Sequence, residues 1–161
     1  MLVLISTLLA LAAPSLRGFA HGRQTADVAA RILSLTHLAR SRAASWGYVH
    51  RLNVDAETGT YWLTMQEAGA FVEIESDLGR QYRLPVGMSI RLSLPSAVEP
   101  LSYVQFYPDG RCDPVTVELE GGEGEILHVT CSSPSERFRI VSPGSEDEAT
   151  APWRRPAERR R

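Results

Sequence analysis

Apolar and polar positions along this chain change their period three times. The first thirteen residues, MLVLISTLLALAA, form an apolar run that ends at Pro14, and no charge occurs before Arg17. Leu2, Val3, Leu4, Ile5, Leu8, Leu9 and Leu11, with the closing Pro14, mark residues 1–22 as a hydrophobic anchor segment. A helix that crosses a bilayer needs about twenty apolar residues, so the run is incomplete as a span. Pro14 has no N–H to donate and is expected to kink or locally open a helix. Gly18 and Gly22 would either permit close helix approach or mark loosened helix.

From Arg23 the pattern becomes helical. Val28, Ile32, Leu35 and Ala39 recur at spacings of four, three and four, with Leu38, Ala43 and Trp46 alongside. Arg31, Arg40 and Arg42 fall mostly on the opposite side, and Gly47 is the expected C-terminal stop. Residues 23–47 are therefore predicted to form an amphipathic helix with one face to bury.

After Gly47 the period drops to two. Tyr48 to Val54 and Thr60 to Gln66 alternate around Asp55-Ala56-Glu57-Thr58-Gly59, a loop of hairpin length. Shorter strands are expected at Phe71 to Glu75, Gln81 to Leu84, Ser89 to Leu94 and Ser102 to Tyr107, followed by a Pro108-Asp109-Gly110 turn. Val115 to Glu120 and Ile126 to Cys131 form a second hairpin around Gly121-Gly122-Glu123-Gly124, and Arg137 to Val141 a last strand. Residues 48–141 thus read as an antiparallel β domain. Residues 142–161, SPGSEDEATAPWRRPAERRR after Val141, are too polar to bury a core and are expected to be disordered. The fold class is α+β: a long N-terminal helix, hydrophobic then amphipathic, packed on an antiparallel sheet domain.

Composition removes several functions. A net charge of −2 over 161 residues supplies no overall basic field for phosphates. His21, His37, His50 and His128 lie in different predicted elements without ligand spacing, and HExxH and G-x-S-x-G motifs are absent. No catalytic residue, metal ligand or cofactor is assigned. Glu118, Glu120, Glu123 and Glu125 around the glycine loop would repel a nucleotide phosphate. Those carboxylates could hold Ca²⁺, but their spacing matches no calcium loop, so a solvated hairpin tip is the better reading. Cys112 and Cys131 are the only cysteines. In an exported protein an even count fits one disulfide, whereas in the cytosol the same pair would more often be two unrelated thiols. Trp153, Arg154, Arg155, Arg159, Arg160 and Arg161 combine a stacking ring with guanidinium groups, chemistry that takes phosphates and exposed bases. The bland reading of that tail is a solvated, arginine-rich terminus beside the acidic Glu146-Asp147-Glu148.

The segments MLVLISTLLALAAPSLRGF, ARILSLTHLARSRAASWG, VHRLNVDAETGTYWL and VQFYPDGRCDPVTVEL resemble the type IV pilin superfamily, specifically pseudopilin H and FimT-like minor pilins. The helix end and the FYPDG turn are the most specific of these. The resemblance covers about residues 1 to 141. It implies a pilin-like fold and a non-enzymatic minor pseudopilin of a type II secretion system. Its partners would be other pseudopilins in a filament, the inner membrane, and a prepilin peptidase where the full N-terminus exists. Its place would be the bacterial inner membrane, as a single-pass protein with the β domain in the periplasm. Such proteins carry a basic leader, a Gly-Phe junction and a nearby glutamate, none of which stands before Met1. Aligning the proline leads to the expectation that the leader and about eight mature residues are missing, which would restore a span of about twenty residues. Two alternatives stand beside this reading: a FimT-like minor pilin that binds DNA through its arginine tail, and a soluble β protein cut by signal peptidase after Ala10-Leu11-Ala12.

Overall fold

The computed structural model describes the backbone of residues 2–75, 77, 79–93 and 102–143, and the side chains of that set from residue 23 onward. One helix, α1 (Leu2–Trp46), spans 45 residues and runs through Pro14, Gly18 and Gly22 without a break in helical backbone. The expected opening at Pro14 or Gly22 is not seen: a proline removes one hydrogen bond, and the turns on either side sustain the helix. From residue 23 onward most of the predicted stripe is buried; Leu38 is only half-buried, and Trp46, at the helix end, is exposed. Val28, Ala29, Ile32, Leu35, Ala39 and Ala43 are within the core, and Thr25 and Thr36 lie on the same face. Alanine at three of these positions, Ala29, Ala39 and Ala43, lets the backbone approach the sheets closely. Gly47 ends the helix with φ +74°, its N–H donating to the Ala43 carbonyl at 3.0 Å, a left-handed cap that glycine adopts without steric cost.

Among the described residues nine strands follow: β1 (His50–Asp55), β2 (Thr60–Glu67), β3 (Ala70–Glu73), β4 (Tyr82–Arg83), β5 (Ser89–Ser93), β6 (Tyr103–Phe106), β7 (Val115–Glu120), β8 (Ile126–Cys131) and β9 (Arg139–Val141). Both strands of the second predicted hairpin, β7 and β8, have the expected bounds; β2 is longer by one residue, and the others shift or shorten by one or two. The expected β domain consists of two sheets. One has the order β3-β2-β1-β6 with β4 also on β2, the other the order β5-β7-β8-β9, and every pairing is antiparallel.

Alternation gives each sheet an inward face. The first buries Leu52, Val54, Tyr61, Leu63, Val104 and Phe106; the second buries Ile90, Leu92, Val115, Val117, Leu119 and Val129. The sheets touch at β1 and β5, and α1 packs against β1 and β6 of the first and β7, β8 and β9 of the second. Helix and both sheets therefore share one apolar core.

Side-chain caps shape the turns. In the β1–β2 loop, Asp55 Oδ1 accepts from the N–H groups of Glu57 and Thr58 at 2.9 and 3.2 Å. This is an Asx turn, and the Thr58 hydroxyl, followed by the Thr58 and Glu57 N–H groups, holds the Asp55 carboxyl below its ordinary range. At the predicted Pro108-Asp109-Gly110 turn, the Gly110 N–H donates to the Tyr107 carbonyl at 3.0 Å and Asp109 accepts from the Arg111 N–H at 3.0 Å. At Gly121, the start of the β7–β8 loop, a Cβ would lie 2.0 Å from Glu125 Oε1 and 2.4 Å from Thr25 Oγ1 and would displace the Glu125 carboxylate.

Candidate assembly surface

Beside the apolar stripe, two polar contacts tie the helix to the β domain, one at Thr25 and one at Arg40. The Thr25 hydroxyl donates to Glu125 Oε1 at 2.6 Å, tying the β7–β8 hairpin tip to α1. The expectation of a wholly solvated acidic tip is corrected here, because a buried threonine on the helix needs an acceptor. Fifteen residues further along the helix, Arg40 donates to the Ser135 carbonyl at 2.9 Å and to the Glu136 carbonyl. The arginines expected on the free face are likewise engaged. The Arg31 guanidinium lies over the Tyr82 ring at 5.4 Å and that of Arg42 over Trp46 at 4.5 Å. Long arginine stems cover apolar surface while the charge stays wet, which a helical wheel reads only as polarity.

The outer face of the first sheet carries an aromatic platform. The register sets Arg51 opposite Gln105, and Asn53 opposite both Tyr103 and Trp62. The Arg51 guanidinium sits between the Phe71 ring at 3.5 Å and the Tyr103 ring at 4.1 Å, and its Nε donates to Gln105 Oε1 at 2.9 Å. Beside it a shallow cleft of about 510 Å³ is lined by Asn53, Asp55, Glu57, Trp62 and Tyr103 among others. A second cleft, about 570 Å³, opens between α1 and the turn before β9, lined by His37, Arg40, Ser41, Ser135 and Arg137 among others. Trp46, Tyr48 and Val86 are exposed large apolar side chains, Val86 completely. Both clefts and these side chains lie open on the surface of the described residues.

The residues singled out in the sequence fall as follows. His37, His50 and His128 sit on α1, β1 and β8, and among the described residues no three metal-ligating side chains converge. His50 is fully buried, with Nδ1 2.9 Å from the Tyr48 carbonyl. Burial holds its imidazole below the ordinary value of 6.5; the Tyr48 carbonyl opposes this and the Arg42 charge adds to it. Cys112 and Cys131 are brought together as thiols, sulfur to sulfur 3.4 Å. The anchor side chains Leu2, Val3, Leu4, Ile5, Leu8, Leu9, Leu11 and Pro14, and the tail residues Trp153 to Arg161, lie outside those described. Among the described residues no helix is long and apolar enough to cross a membrane. Sequence reasoning did not single out the Arg40 and Thr25 contacts or the Arg51 platform, since each joins residues far apart in the chain.

Solved structures with the same arrangement exist. Two structures of the minor pseudopilin EpsH from the type II secretion system of Vibrio cholerae superpose with TM-scores of 0.65 and 0.66 at 18% and 17% identity. They cover 75% and 76% of this chain and 98% and 96% of theirs. Escherichia coli GspH gives 0.54 at 19% identity, over 76% of this chain and 89% of its own. The type IV minor pilin FimU of Pseudomonas aeruginosa gives 0.51 at 17%, over 80% and 94%. No family model and no curated protein sequence matches the chain. At these identities the likeness is one of architecture, and it bears out the expected pilin-like fold: an N-terminal helix laid on antiparallel sheets, as in the minor pseudopilins and minor pilins.

Proposed function

We propose that this chain is a minor pseudopilin, a structural subunit of the short periplasmic filament of a type II secretion system. The observation that carries the reading is the match to EpsH, which takes in nearly all of that chain and is closer than the match to the pilin FimU. In this role the apolar Leu2–Leu11 run with Pro14 holds the subunit in the inner membrane and then packs among neighbouring helices. The β domain stands in the periplasm and makes lateral contacts through surfaces such as the Arg51 platform. Chemistry by this subunit forms no part of the reading. A prepilin peptidase acts on the chain where a leader precedes it.

The test is co-expression with the other pseudopilins of a type II system, followed by membrane fractionation and affinity capture. The expected outcome is detergent-dependent extraction and co-purification with at least one pseudopilin; a freely soluble periplasmic protein with no such partner would sink the proposal. A second reading is kept because a minor pilin shares the fold: a FimT-like subunit whose Trp153–Arg161 tail contacts DNA. Binding that weakens steeply with salt and vanishes on deletion of residues 153–161 would favour it. The mass of the mature N-terminus separates both from a soluble protein cut near Ala12.

A further inference from the structure

We infer that Cys112 and Cys131 are a disulfide-forming pair that is joined while the chain folds, and that the bond staples both sheets to the turn gripped by the helix. The two sulfurs lie 3.4 Å apart, and both residues are almost fully buried, at 1% and 2% exposure. A disulfide needs about 2.05 Å, so closing the pair takes roughly 1.4 Å of side-chain movement within an already aligned site. Cys112 belongs to the first sheet's side, bridged to Phe106 at the end of β6, and Cys131 is the last residue of β8 in the second sheet. Around them winds the turn 132–136. The Cys112 N–H donates to the Pro134 carbonyl at 3.0 Å, and the Cys131 thiol donates to the Ser133 carbonyl at 3.0 Å. Arg40 holds the same turn from α1. One bond here would restrain three layers at their common junction.

Timing follows from burial. Desolvation, reinforced by the Cys131 sulfur, pushes the Cys112 thiol up to about 12. The thiolate is the nucleophile in exchange, so the folded, reduced protein is slow to react. Before the core closes, one cysteine thiolate attacks a disulfide of a protein dithiol oxidant, forming a mixed disulfide and releasing one oxidant thiol. The second cysteine then attacks the sulfur of the first and releases the other. The chain loses two electrons, the oxidant gains them, and the two cysteine protons end on the oxidant's thiols. Only the need for an oxidising compartment rests on the periplasmic reading; the pairing itself does not.

The experiment uses the full chain and oxidised plus reduced glutathione, and so stands or falls independently of assembly. One sample is refolded from denaturant in this mixture; a second, already folded and reduced, is placed in it. Both are then denatured and alkylated without reductant. The refolded sample should take up no alkyl group, yield a peptide linking Cys112 to Cys131, and melt about 10 °C or more above its reduced form. The prefolded sample should oxidise at least about 100-fold more slowly. Two alkylated cysteines or glutathione adducts in the refolded sample would overturn the pairing, and equally fast oxidation of the prefolded sample would overturn the timing.

Discussion

His50 shows how a single burial sets a pH response. Its imidazole is enclosed where α1 gives way to β1, with the Trp46 ring centred 5.8 Å away. Because burial lowers the folded-state pKa from 6.5, the unfolded chain binds the proton more readily as the pH drops. The stability that depends on a neutral His50 is fully present above about pH 6.5 and is lost as the pH falls through the depressed folded value. Thermal unfolding between pH 5 and 7.5 should show the wild type losing more melting temperature towards acid than His50→Gln; parallel curves would refute this. None of this was legible in the sequence, where His50 lies inside the alternating run Tyr48 to Val54 and looks like any strand residue. The Thr25–Glu125 bond was equally hidden, since its partners stand 100 positions apart and no local pattern pairs such residues.

At the scale of elements, periodicity carried most of the information. The helical stripe and the β7–β8 hairpin were legible because apolar side chains recur there at the period of the element that buries them. Strand β4 was expected as Gln81 to Leu84 but is only the two residues that pair with Thr60 and Tyr61; its length was not legible because backbone pairing leaves little trace in side-chain identity. The single long helix, hydrophobic then amphipathic, is as expected; only the opening expected at Pro14 or Gly22 is absent, since a change in hydropathy is not a change in backbone. The turn 132–136 is an element too, and it depends on the helix. Arg40→Ala should remove the charged donors to Ser135 and Glu136 and cost about 1–2 kcal/mol. Hydrogen exchange should quicken at the Cys112 amide and through the turn while the β1–β2 amides stay protected; unchanged exchange in the turn would show that Arg40 does not hold it.

For the whole molecule, alternation marked inward positions but not which strands share a sheet, because that is decided by loops and non-local pairing. The pilin-like architecture was nonetheless legible through resemblance of whole segments, which carries topology that periodicity lacks. A single core shared by helix and sheets implies one cooperative transition. Ile32→Ala, which empties a fully buried site, should cost about 2–5 kcal/mol and lower the melting of helix and sheet signals together; separate transitions by far- and near-ultraviolet circular dichroism would contradict a common core. The continuity of α1 has a mechanical consequence. A helix of 45 residues is a rod of about 67 Å. Tension applied near its start runs along the axis and loads the buried stripe in shear, many contacts at once, rather than peeling them singly. At Gly47 the force passes into β1, which is bonded on both sides, to β2 and to β6, so a pull enters the first sheet at its middle rather than at an edge.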